Sequence, residues 1–118
     1  MSKYSVTITS IGQCAQEALD DDMLILFNQS ATEDIADYCF VHGHDELKSE
    51  IEVGDTLVIN ETEYPVTAVG LVASKNLKNL GHITLRFDGS SDADTTGSVH
   101  LKGEQPTSLE VGSTFNFK

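Results

Sequence analysis

"EVGDTLVINETEYPVTAVG" (52–70) reads as a β-hairpin, and that reading decides the class of the fold. Gly54-Asp55 opens a strand that runs through Ile59, Asn60-Glu61 makes the turn, and Tyr64 to Val69 returns. Pro65 has no N–H to give to a ladder, so the return strand is expected at a sheet edge or beside a bulge.

Short strands flank the hairpin on both sides. "KYSVTITSIG" (3–12) alternates Tyr4, Val6 and Ile8 against Thr7 and Thr9, and "MLILFN" (23–28) is an apolar run of strand length. "QCAQEALDDD" (13–22) between them suits a turn or a short helix. "SATEDIADYCFVHG" (30–43) begins with Ser30 or Thr32 as a possible cap for a helical turn, then changes to a strand from Tyr38 to Val41. "ASKNLKNLGH" (73–82) spaces Leu77 and Leu80 on one face between Ser74 as N-cap and Gly81 as C-cap, a helix of about two turns. "HITLRFDG" (82–89), "SVHLKG" (98–103) and "STFNFK" (113–118) are further strands, and "DGSSDADTTG" (88–97) reads as a flexible acidic loop. The chain shows no evident internal repeat. The expected fold is all-β: a small single-domain β-barrel-like fold of short, mostly antiparallel strands with one or two short helices, one domain over 1–118.

A chain of 118 residues, 39% of them hydrophobic, suffices for one core. No apolar run approaches the ~20 residues of a membrane helix and no signal-peptide pattern opens the chain, so a cytoplasmic protein without membrane insertion is expected. Cys14 and Cys39 form no C-x-x-C pair and read as free thiols. Nineteen acidic against seven basic residues, a net charge of −12, disfavour nucleic acid and favour a basic partner surface.

The residues that carry chemistry lie in "YCFVHGHDELK" (38–48). Alternation puts Tyr38, Phe40, His42 and His44 on one strand face and Cys39 and Val41 on the other, which argues against a Cys39–His42 nucleophile. Three readings of the H-x-H pair remain. Two imidazoles can chelate a metal, with His82, His100, Asp45, Glu46 or Glu50 as further ligands, giving a small metal-binding β-barrel. A histidine can instead carry a phosphoryl group, given a neutral ring nitrogen open to solvent and a second nitrogen oriented by a hydrogen bond. The pair can also be two solvated residues at a strand end, and His82 and His100 read most simply as structural.

"YCFVHGHDELK", "YPVTAVG" (64–70) and "NLKNLGHITLRFDG" (76–89), in that order and spacing, resemble the glucitol/sorbitol-specific enzyme IIA component of the bacterial phosphoenolpyruvate-dependent sugar phosphotransferase system. The resemblance runs from Tyr4 to near Phe117. It implies a cytoplasmic β-barrel that accepts a phosphoryl group from the histidine phosphocarrier protein HPr and passes it to a cysteine of the IIB domain of the glucitol/sorbitol permease. By motif position His42 is the phosphoryl acceptor and His44 a supporting residue; no cofactor or metal is needed.

Exchange between imidazoles needs little driving force, so alignment dominates. With a reference pKa of about 6.5, an exposed His42 is expected to be mostly neutral near pH 7. Lys48, Lys75 or Lys78 are candidate cations for the phosphoryl oxygens, and HPr is expected to dock on a transient interface with Phe40 or Val41 near its apolar centre. Attraction of a basic HPr face by the acidic chain weakens with salt.

Overall fold

Strands with one apolar face bury it most completely by closing on one another, which also removes every exposed edge. The computed structural model describes residues 3–29, 33–43, 47–93, 95–106 and 109–118 and has this closed form. Among those residues β1 (Tyr4–Ile11), β2 (Met23–Asn28), β3 (Phe40–His42), β4 (Thr56–Ile59), β5 (Thr62–Val69), β6 (Ile83–Arg86), β7 (Ser98–Leu101) and β8 (Thr114–Phe117) close in the order β1-β3-β2-β6-β7-β5-β4-β8. The pairings are antiparallel except β2 with β3 and β6 with β7. Leu24, Leu26, Leu57, Ile83, Leu85, Val99, Leu101 and Phe117 fill the interior with no exposed surface. Among the described residues three short helices connect strands, α1 (Ala15–Asp20), α2 (Glu33–Ala36) and α3 (Ala73–Leu80), where one or two were expected.

The hairpin forms as read, with Leu57 opposite Tyr64 and Ile59 opposite Thr62. Asn60 takes φ 54° in the turn, and its Oδ1 accepts the Thr114 N–H at 3.0 Å. Pro65 sits beside a register slip between Val66 and Ala68 rather than at an edge, because the closed barrel leaves β5 paired on both sides. α3 ends on Gly81 in the left-handed region, as its sequence predicts, but it starts two residues early. Val72 occupies the N-cap position without a side-chain cap, and the Ser74 hydroxyl accepts the Ile51 N–H at 3.0 Å instead. A tertiary donor has taken the oxygen that local reasoning assigned to the helix. The cap expected from Ser30 or Thr32 lies outside the described residues.

Contrary to the sequence reading, the chain contains a repeat. "ITSIGQCAQEAL" (8–19) and "VTAVGLVASKNL" (66–77) share Thr9/Thr67, Gly12/Gly70, Ala15/Ala73 and Leu19/Leu77. "EVGDTLVI" (52–59) and "EVGSTFNF" (110–117) share Glu, Val, Gly and Thr. The registers repeat as well. β1 pairs with β3 at Ile8↔His42 and Ser10↔Val41 across a slip, and β5 pairs with β7 at Val66↔Leu101 and Ala68↔His100 across the same slip. Parallel pairs match too, Leu26↔Phe40 in one half and Leu85↔Val99 in the other. The halves meet at Leu24↔Leu85 with Leu26↔Ile83, and at Leu57↔Phe117 with Ile59↔Phe115, each a swap of equivalent positions. The barrel thus has pseudo-two-fold symmetry, in which Asn28 and His42 of one half correspond to Phe87 and Leu101 of the other.

Candidate functional site

β3 is three residues long, and every one of them is buried, because β1 and β2 pair with it on either side. Phe40 and His42 share one face, and Val41 lies on the other. His42 is 0% exposed, against the expectation of a ring open to solvent. Its Nε2–H donates to the Gly81 carbonyl at 2.7 Å, and Tyr4 meets the ring edge-on with centroids 6.0 Å apart. A neutral ring that donates through Nε2 carries its lone pair on Nδ1. Chemistry at Nδ1 keeps the Gly81 bond, whereas chemistry at Nε2 requires that it break.

Gly81 supplies that carbonyl from the left-handed C-cap of α3, at φ 61°. A side chain there costs about 1–2 kcal/mol, less for Asn. Gly81→Ala is therefore expected to lower the melting temperature by several degrees, and Gly81→Asn by clearly less. Equal melting temperatures for wild type and Gly81→Ala in a calorimetric scan contradict the assignment.

The other predicted residues divide. His44, Asp45 and Glu46 lie outside the described residues. His82 follows Gly81 directly, packs against Phe27 with centroids 5.2 Å apart, and is lowered in pKa by burial. Glu50, Lys75 and Lys78 line a cleft of about 390 Å³ with Leu47, Ser74 and Asn79, beside the helix end that holds His42. The Lys48 N–H donates to the Lys3 carbonyl at 2.9 Å, along the start of β1. Phe40 and Val41, expected at the centre of a docking surface, are 1% and 8% exposed and cannot serve there. Cys39 is buried with its thiol pushed up to about 11, which suppresses thiolate chemistry. Asn28, Tyr4 and the Gly81 carbonyl went unforeseen; strand register brings Asn28 to His42, while a ring contact and a hydrogen bond from the end of α3 bring the other two.

His100 is separated from His42 by β2 and β6 in the barrel order. It is buried, and its Nδ1 lies 2.7 Å from Asp88 Oδ1. The loop read as flexible packs over this region in its described residues: Thr67 donates to the Ser90 carbonyl at 2.7 Å and the Val72 N–H to the Thr96 carbonyl at 2.9 Å. Partial burial pushes the Asp88 carboxyl up, but hydrogen bonds from His100 and the Ser90 N–H, with the charges of His100 and Arg86, outweigh it and hold the group below its ordinary value. Such an acid stabilises the fold above its unfolded pKa of about 3.9, and the contribution is lost as pH falls through the lower folded value. Urea titrations are expected to show wild type losing more stability than Asp88→Asn as pH drops below about 4. Equal losses in the two proteins count against this pairing.

The family model for the "PTS system glucitol/sorbitol-specific IIA component" matches residues 3–116. The chain belongs to that family. Curated relatives named "PTS system glucitol/sorbitol-specific EIIA component" from Shigella flexneri and Escherichia coli (strain K12) are each 47% identical over 115 residues, which cover 98% of this chain and 94% of theirs. A solved structure, "The Crystal Structure of PTS System IIA Component from Enterococcus faecalis V583", superposes with a TM-score of 0.86 at 31% identity, covering 96% of this chain and 98% of that one. Membership leaves the metal-binding alternative unsupported: among the described residues no three His, Cys, Asp or Glu side chains group to hold an ion. Among those residues, too, no helix of this IIA chain is long and apolar enough to cross a membrane.

Proposed function

We propose that this chain is a cytoplasmic phosphoryl carrier, a single IIA domain over residues 1–118, that takes a phosphoryl group from phosphorylated HPr on His42 and gives it to a cysteine of the IIB domain of the glucitol/sorbitol permease. The observation that carries the reading is the His42 ring, fixed by the Gly81 carbonyl at 2.7 Å in a chain of the IIA family. In the first step the His42 lone pair forms an N–P bond while the N–P bond of the donor breaks, and the donor imidazole leaves with the electron pair. In the second, a thiolate forms an S–P bond and His42 recovers its lone pair. Both steps exchange one activated phosphoryl bond for another, so orientation supplies most of the rate.

Burial adds a requirement that the sequence reading lacked. Phosphorus cannot reach a ring with no exposed surface, so transfer includes a local opening over His42, and partner docking favours that open state. Docking falls on the α3 end of the barrel, where Leu80 is 44% exposed beside Gly81 and Lys75 and Lys78 face the cleft. His44 supports the acceptor.

The test is intact mass after incubation with phosphoenolpyruvate, enzyme I and HPr, with metal analysis of the same sample. One acid-labile phosphoryl group per chain is the expected result. No mass gain, with a stoichiometric metal instead, sinks the carrier reading.

A further inference from the structure

We infer that Asn28 binds the phosphoryl group carried at His42, its carboxamide donating to a phosphoryl oxygen; the inference rests on the carrier reading above. Asn28 and His42 are direct partners in the parallel pairing of β2 with β3. Side chains of such partners leave the sheet on the same face, from strands about 4.8 Å apart. That face is the barrel interior, since Leu24 and Leu26 precede Asn28 on alternate positions of β2 and Phe40 precedes His42 on β3, all four of them buried. Asn28 is half-buried where His42 is wholly buried, so part of Asn28 is open to the solvent from which a partner arrives. A carboxamide offers two N–H donors, and donors preset where charge sits on a transferring phosphoryl group are the main means by which a protein accelerates this chemistry.

The pseudo-two-fold symmetry supplies an internal comparison. The equivalent of His42 is Leu101, whose pairing with Val66 matches that of His42 with Ile8. One step beyond Arg86↔His100, the equivalent of Asn28 is Phe87, which packs edge-on against Tyr64 with centroids 5.2 Å apart. The half with leucine in place of His42 thus has apolar residues at both places, and both are buried. The fold therefore does not demand a polar side chain at either position. The half that places a histidine at this position is the half that places an amide beside it.

The test measures, by quenched-flow and intact mass, the rate of phosphoryl transfer from phosphorylated HPr to wild type, Asn28→Asp, Asn28→Leu and Asn28→Arg, with melting temperatures for each. A phosphoryl-binding role predicts rates ordered by charge. Asn28→Asp falls about 100-fold or more through repulsion, Asn28→Leu about 10-fold or more through the lost donor, and Asn28→Arg stays near wild type. Asn28→Leu is expected to melt at or above the wild-type temperature, as the apolar equivalent does its structural work in the other half. Rates that follow the melting temperatures, or that stay within about twofold across the series, overturn the inference while leaving the carrier reading intact. Wild type that takes up no phosphoryl group overturns both.

Discussion

His42→Ala and His42→Gln are expected to take up no phosphoryl group from phosphorylated HPr, a fall of about 10⁴-fold or more in rate, because the attacking lone pair is gone. The two variants separate chemistry from folding. Alanine removes a buried ring together with its 2.7 Å bond to Gly81, so a stability loss of about 2–4 kcal/mol accompanies it. Glutamine keeps an N–H donor for the Gly81 carbonyl and much of the volume, yet its amide nitrogen is no nucleophile. Reconstituted hexitol phosphorylation with both variants, beside circular dichroism to confirm the fold, reads the outcome. A folded His42→Gln that supports hexitol phosphorylation at more than about a tenth of the wild-type rate contradicts the role given to His42.

Gly12→Ala and Gly70→Ala are expected to lose about 3 kcal/mol or more of stability each, the largest structural effects in the chain. A Cβ on Gly12 falls on the Ala36 and Asp37 carbonyls, and one on Gly70 on those of Thr95 and Thr96. Every obstructing atom is backbone, so nothing can swing aside. The close approach is fixed by hydrogen bonds on both sides of each glycine: Gly12 N–H to Cys39 O at 3.0 Å and Cys14 N–H to Asp37 O at 2.7 Å, Gly70 N–H to Ser98 O at 2.8 Å and Val72 N–H to Thr96 O at 2.9 Å. Gly97→Ala is the control, since its Cβ meets only the Asn76 amide nitrogen, at 3.4 Å. Denaturant titration should show the first two variants far below the third; three similar midpoints refute the steric account.

The strands were legible because each carries its own signature: β-branched alternation in 4–11, and a turn at Asn60-Glu61 that fixes the register of its hairpin. The repeat was not. Its identities are sparse, among them Gly12/Gly70, the buried Ala15/Ala73, Leu19/Leu77 and Leu26/Leu85, Thr9/Thr67 and the EVG turns, while most positions between them have diverged. Strand registers recover it because backbone pairing outlasts side-chain identity. Local reasoning also misassigned Ser74, whose hydroxyl answers to an N–H 23 residues away. The candidate site divides in the same way. An H-x-H pair marks itself in one dimension, so His42 could be singled out, but its burial depends on the closing of β1 and β2 around β3. Its orienting carbonyl is 39 residues distant in sequence, and Asn28 became a neighbour only through a parallel pairing that no turn chemistry specifies. Contacts made by register between separate elements are invisible to periodicity.

The central claim is that one phosphoryl group resides on a buried histidine, and mapping that group to its residue tests it most directly. The protein charged from phosphoenolpyruvate through enzyme I and HPr would be digested at neutral pH and fragmented by electron transfer, which preserves the N–P bond. The account predicts phosphohistidine at His42 alone, in a peptide that also contains unmodified His44. Phosphoryl groups on His44 or His82 with His42 unmodified would contradict it.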